Sequence, residues 1–232
     1  MTSIESYFDQ QVNWDEAHFF NKITRYKPNQ AIAKSFDWIN WQNKRVLDIG
    51  CGQGYYSIPL AEKAKSVVGI DISGQAIHYA QKVAAKTHLS NVSFQQVDLF
   101  EFAPSETFDV VLSITVLMHL QNLSKALNQI YTLLDTNGQF LLSEPNKHYR
   151  GLRLTSWRKT QSSIFTQKFS LAQMRKLLIE HKFNIQRESG RIFSLSPTRR
   201  TEALIFLGLE KWGETNLLKQ RGEHISILAQ KV

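Results

Sequence analysis

Three glycines at alternate positions, Gly50, Gly52 and Gly54, interrupt the segment Val46 to Ala61, VLDIGCGQGYYSIPLA, with the carboxylate of Asp48 just ahead of them. A turn built of glycines bends sharply and lets a ligand approach the backbone, and the free N–H groups of a following helix offer hydrogen-bond donors. A strand, a glycine turn and a helix together make a nucleotide-binding element. Asp71 stands 21 positions after Gly50, the spacing at which an acidic residue accepts hydrogen bonds from both ribose hydroxyls and rejects a 2′-phosphate. Ile72, the next residue, is placed to cover a face of adenine. Dinucleotide sites need a glycine or alanine three residues after the second glycine, and Tyr55 occupies that position, which disfavours a nicotinamide cofactor. Asp48 at the mouth of the loop would repel a pyrophosphate and suits a ligand with an ammonium group. Read alone, the turn would also serve as a plain strand-to-helix connection, and Asp71 as a helix cap.

These residues need strands and helices to hold them, and the chain alternates accordingly. Arg45 to Ile49 suits a buried strand, with a helical pattern from Tyr55 to Ala61. Ser66 to Ile70 (SVVGI) predicts a second strand, and Ser73 caps a helix from about Gly74 to Thr87. Asn91 to Val97 and Phe108 to Ser113 suit a third and a fourth strand. Helical periodicity resumes from Leu123 to Leu134, and Asn137-Gly138 turns into a fifth strand, Gln139 to Ser143. Ser170 caps Leu171 to His181, Phe183 to Arg187 makes a sixth strand, Arg199 to Lys219 is helical in tendency, and Ile225 to Val232 closes the sheet. Before all of these, Asn29 to Trp41 has a 3.6-residue apolar period. Between the fifth strand and Ser170, Asn146 to Lys168 lacks a period, which marks a functional insertion.

V-L-D-I-G-C-G-Q-G resembles motif I of the class I methyltransferases that depend on S-adenosylmethionine (SAM), a donor that carries an ammonium group and no phosphate. The resemblance implies an α/β fold: a Rossmann-like, seven-stranded, mostly parallel sheet with one antiparallel strand, flanked by helices. It implies SAM as cofactor and S-adenosylhomocysteine as product. It also implies one methyltransferase domain over 1–232, with 1–44 as an N-terminal helical lid, 45–143 as the SAM-binding core, 144–170 as an active-site insertion and 171–232 completing the sheet. By the same resemblance Asp98 accepts from the adenine amine, Leu99 contributes its backbone, and Ser113 lies among the cofactor contacts. Tyr7, Phe8, Trp14 and Tyr26 would face the ligand from the lid, or pack the helices onto the sheet. Ile114 to Leu120 (ITVLMHL) resembles the segment that opens the active site, and puts His119 forward as a general base or as a loop-orienting histidine. Glu144, His148 and Tyr149 are further candidates.

Several chemistries are disfavoured. Ile114 to Leu120 has no carboxylate for magnesium, Ser113-Ile114-Thr115-Val116 is not the Asn/Asp-Pro-Pro-aromatic pattern of amino-methylating nucleic-acid enzymes, and Cys51 is in the wrong loop for a cytosine-C5 nucleophile. Neither is the pair of glutamates of protein-arginine enzymes evident. What remains is direct, metal-independent methyl transfer to an O, N or C atom of a small or medium-sized metabolite.

Composition is that of an ordinary globular chain, with 42% hydrophobic and 21% charged residues in 232. The polar N-terminus, MTSIESYFDQQ, predicts no secretory signal, and no apolar stretch is long enough to span a bilayer. One cysteine, Cys51, excludes an internal disulfide and fits a reducing cytoplasm. The net charge of +8 is uneven: Met1 to Gln139 carries 11 Lys and Arg against 13 Asp and Glu, and Phe140 to Val232 carries 17 against 7. A basic second half attracts anions, so an acidic or aromatic acceptor is expected, with Trp157 and its neighbouring arginines in mind. An RNA- or ribosome-directed enzyme and a non-catalytic SAM-binding regulator are the two alternatives.

Overall fold

The protein, described from a computed structural model over residues 3–11, 30–148, 164–191 and 224–232, is built on one sheet of seven strands. These are β1 (Arg45–Ile49), β2 (Ser66–Asp71), β3 (Val92–Gln96), β4 (Phe108–Ile114), β5 (Leu134–Pro145), β6 (Phe183–Arg191) and β7 (His224–Lys231), in the spatial order β3-β2-β1-β4-β5-β7-β6. β1 pairs in parallel with β2 and β4, β2 with β3, and β4 with β5. β7 runs antiparallel to both β5 and β6. The expected fold class, with its one antiparallel strand, is the one observed. The helices are α1 (Ile4–Gln11), α2 (Gln30–Phe36), α3 (Ser57–Ala61), α4 (Gly74–Ala84), α5 (Leu123–Leu133) and α6 (Leu171–Glu180), with a 3-10 turn at Leu117–His119.

The central strands are apolar on both faces, as a sheet covered on both sides requires. One face brings Leu47, Val111 and Leu142 against Ala126, Leu127 and Ile130 of α5 and Met174 and Leu178 of α6. The other packs Val46, Val110, Leu112 and Leu141 under Ile39, Trp41, Leu60 and Ala61. Caps end the helices where the sequence places them. Ser73 Oγ accepts from Ala76 N at 3.1 Å at the start of α4, and Ser170 with Gln173 forms a capping box on α6.

Boundaries differ locally from the sequence expectation. The helix after the glycine turn starts at Ser57 rather than Tyr55, because residues 52–56 are spent on the turn itself. β5 begins earlier than expected, at Leu134 opposite Phe108, and pairing resumes at Gln139 opposite Val110. Between them Asn137 adopts φ 61°, so the Asn137-Gly138 turn sits inside the strand's span. Trp14, Tyr26, Tyr149, Trp157 and the Arg199 to Lys219 segment lie outside the described residues.

Strand order reverses between β1 and β4: the chain builds outward through β2 and β3, then returns to place β4 on β1's other edge. In such sheets the ligand crevice opens at the carboxyl ends of the strands beside that reversal. The loops there are the glycine turn, Ile72-Ser73, the segment after β3, and Thr115 to Leu120.

Candidate active site

The glycine turn is tied to the end of β2. Gly50 N and Cys51 N both donate to Ile70 O, at 2.8 and 3.0 Å, and Gly50, Gly52 and Gly54 all take positive φ, between 53° and 80°. Only glycine takes this left-handed region without steric cost. Asp71, the last residue of β2, clamps the turn: Oδ2 accepts from Gly52 N at 2.8 Å and Oδ1 from Ser73 N at 2.9 Å. Each oxygen has thus accepted one backbone donor and keeps a lone pair for a further one. Burial raises the Asp71 pKa, the N–H groups of Ser73, Gly52 and Ile72 oppose that, and the charge of Asp9 adds to it. A Cβ built on Gly52 would meet none of the described residues within 4 Å.

Asp48 is placed differently from the sequence expectation of an open ammonium partner. Its side chain points under the turn, 1% exposed, where Oδ2 accepts from Ser57 Oγ at 2.5 Å. Burial pushes its carboxyl up to about 7, against the Ser57 hydrogen bond and with help from the charge of Asp71. The folded protein therefore holds this proton more tightly than the unfolded chain, in which Asp titrates near 3.9. Its contribution to stability is fully present below that value and is lost as pH rises towards 7. Asp48→Asn should flatten that loss, so thermal unfolding at pH 5 and at pH 8 should differ less in the variant than in the wild type; equal differences would place the titration elsewhere.

After β3, Asp98 Oδ1 accepts from Phe100 N at 2.7 Å, which leaves its second oxygen for an amine donor. The side chain of Leu99 is buried in the core, so only its backbone can serve a ligand. Ser113 is fully buried and its Oγ has no hydrogen-bond partner. Ile72 is half-buried, its carbonyl accepting from Gln96 Nε2 at 3.3 Å. Helix α1 lies across these loops. Asp9 Oδ1 accepts from Ser73 Oγ at 2.5 Å and Gln75 N at 3.2 Å, Gln96 Nε2 donates to Glu5 at 3.1 Å, and the Phe8 ring meets His119 edge-on at 5.1 Å.

His119 ends the 3-10 turn after β4. Its Nδ1 is 3.3 Å from the carbonyl oxygen of Phe165. A carbonyl only accepts, so Nδ1 carries the proton and Nε2 keeps its lone pair. Burial lowers the His119 pKa, opposed by that hydrogen bond. Glu144, at the end of β5, is fully buried and accepts from the amides of Val116, Leu117 and Met118 at 3.1, 2.9 and 3.2 Å. Burial outweighs these bonds and pushes its carboxyl up to about 8. His148 is exposed, its amide donating to Asn146 Oδ1 at 3.0 Å. No hydrogen bond or ion pair among the described residues joins the side chains of these three. His224 was not anticipated from the sequence. It opens β7 beside Pro145, its Nδ1 is buried without a partner among the described residues, and burial lowers its pKa. The signal available was the alternation of His224 and Ser226 at the start of an apolar strand.

A family model described as "Methyltransferase domain" matches residues 41–197, which contain the turn, Asp71, Asp98, His119 and Glu144. The chain belongs to this methyltransferase family. Its fold is that of the class I, SAM-dependent type. The ubiquinone biosynthesis O-methyltransferase of Bradyrhizobium diazoefficiens is 27% identical over 65% of the chain and 62% of that protein's length. A 23S rRNA uracil C5-methyltransferase of Aliivibrio fischeri is 38% identical, over 38% of the chain and 20% of its own length. The chain thus spans less than two thirds of these relatives. The SAM-bound crystal structure of magnesium protoporphyrin IX methyltransferase from Synechocystis PCC 6803 superposes with a TM-score of 0.63 at 21% identity, covering 99% of this chain and 95% of that one.

Two acceptor oxygens at Asp71 and one at Asp98 are groups that a ribose diol and an adenine amine would take, so the residues present fit the methyl donor of the class. If Asp71 accepts from the ribose as the sequence leads one to expect, Asp71→Ala removes that acceptor and the clamp on Gly52 N together. Hydrogen bonds to a charged group contribute about 1.5–3 kcal/mol, so affinity for S-adenosylhomocysteine should fall roughly 10- to 150-fold by calorimetry. Unchanged affinity would remove Asp71 from the cofactor site. Among the described residues no group of three His, Cys, Asp or Glu is arranged to hold a metal ion, and no helix is long and apolar enough to cross a membrane.

Proposed function

We propose that this methyltransferase transfers a methyl group from SAM to a hydroxyl of a small or medium-sized aromatic or acidic metabolite, by direct in-line transfer, in the cytoplasm. The observation that supports the choice of a hydroxyl is the approach of His119 Nδ1 to Phe165 O, at 3.3 Å. An imidazole whose Nδ1 proton is committed to Phe165 O offers Nε2 to an acceptor proton. SAM, when bound, supplies an electrophilic methyl carbon with a neutral thioether as leaving group, so the chemistry asks the protein mainly for alignment and for removal of one proton. Asp71 and Asp98 hold the donor's ribose and adenine. Phe8, edge-on to His119, keeps water from one side of the imidazole, and the buried setting of His119 keeps it neutral at physiological pH.

The test is methyl incorporation from labelled SAM into a panel of phenols, catechols and hydroxylated aromatic acids. Label in a phenolic or acidic acceptor supports the reading. An RNA-directed enzyme is the second reading, motivated by the basic excess after Gln139 and the partial likeness to an rRNA methyltransferase. Label in rRNA fragments alone, lost steeply as salt is raised, would replace the first reading by the second.

A further inference from the structure

The turn that presents His119 is an expensive piece of backbone. Thr115, which leads into it, is β-branched yet sits at φ 61°, a left-handed conformation that is sterically costly and persists only where its surroundings impose it. The three amides that open the turn, those of Val116, Leu117 and Met118, are donors that a helix start leaves unsatisfied, and Val116 at its N-cap position makes no side-chain cap. All three converge on one carboxylate. Glu144 Oε1 takes Val116 N and Leu117 N, and Oε2 takes Met118 N. Thr115 N is held by Ser143 O at 2.8 Å, next in sequence to that carboxylate. On the far side, Gln167 N donates to Met118 O at 2.9 Å and its Nε2 to Leu120 O at 2.8 Å.

From this geometry we infer that Glu144 is the positioning residue for His119: its carboxylate fixes the Val116–Met118 amides, and through them sets the imidazole at its distance from Phe165 O and its tautomer. Glu144 is wholly enclosed, so it acts on the turn and not on the acceptor. The inference rests on the proposed role of His119 but is tested without turnover.

The experiment is NMR of the full chain, following the His119 imidazole by selective histidine labelling and the exchange of the Val116, Leu117 and Met118 amides, in wild type, Glu144→Ala and Glu144→Gln. Wild type should show His119 protonated on Nδ1, titrating below the ordinary histidine value. In Glu144→Ala the three amides should exchange about tenfold faster or more, and the His119 signal should lose its Nδ1–H signature. Glu144→Gln is nearly isosteric and keeps one acceptor oxygen, so it should restore most of the wild-type tautomer while one of the three amides stays fast. A folded Glu144→Ala protein with an unchanged His119 tautomer and titration, whatever its melting temperature, would overturn the inference. If Glu144→Ala does not fold, Glu144→Gln decides the matter on the amides: exchange of Val116, Leu117 and Met118 all as slow as in the wild type would overturn the inference. Loss of S-adenosylhomocysteine binding by the wild type would refute the methyltransferase reading separately, since none of these signals needs a ligand.

Discussion

Replacing His119 by alanine is expected to slow methyl transfer by about 10²- to 10⁴-fold, the usual contribution of a positioned general base, while S-adenosylhomocysteine affinity changes by no more than about twofold. The split follows from where the side chain sits. His119 bonds to Phe165 O and packs on Phe8, and it makes no contact with the glycine turn or with Asp71 among the described residues. The wild-type rate should rise with pH through a single limb and level off, because only the neutral imidazole accepts a proton. That limb should fall below the ordinary value of about 6.5, since burial lowers the His119 pKa. In His119→Ala the limb should disappear, and the residual rate should rise with pH according to the acceptor's own ionisation. A variant with normal turnover would leave His119 as a packing residue under α1 and move the search for a base to His224, whose Nδ1 is buried without a partner among the described residues.

The glycine turn and the carboxylate that clamps it were legible because both are written in local sequence. A glycine turn can be recognised from three residues, and Asp71 lies at a fixed spacing that follows from one βα unit. Strand and helix order was legible for a similar reason: apolar runs buried on both faces, and the caps Ser73 and Ser170, announce themselves within a few residues. What the sequence could not reveal depends on pairs far apart in the chain. Glu144 reads as one more acidic residue after a strand; its three bonds to Val116, Leu117 and Met118 exist only because β5 lies beside β4. Asp48 illustrates the opposite error. A carboxylate beside a glycine turn looks open to solvent and ligand, but side chains alternate along a strand, and its parity with Val46 turns it beneath the turn towards Ser57. His224 had only the alternation with Ser226 to mark it, because its setting is made by Pro145 on the neighbouring strand.

Gly50→Ala should disable cofactor binding and destabilise the fold, and its partner variant should show why. Gly50 is at φ +66°, and a Cβ there would overlap Val116 Cγ2. Two costs are therefore superposed. The left-handed conformation costs an alanine roughly 1–2 kcal/mol, and forcing a methyl into packed side chains costs typically about 1–3 kcal/mol. Val116 is also the first residue of the turn that Glu144 grips, so it cannot retreat without straining Thr115 and shifting His119. Truncating it in Gly50→Ala/Val116→Ala removes the overlap and leaves the backbone cost, so the double variant should recover the packing share of the lost stability and only part of the lost S-adenosylhomocysteine affinity. A double-mutant cycle on unfolding free energy should give a coupling on the order of 1 kcal/mol or more, against the few tenths expected of independent sites. Additive losses would mean that the two side chains do not meet in solution. A coupling of the expected sign would establish that the glycine turn and the turn presenting His119 are packed as one unit, so that a disturbance of either is felt at the other.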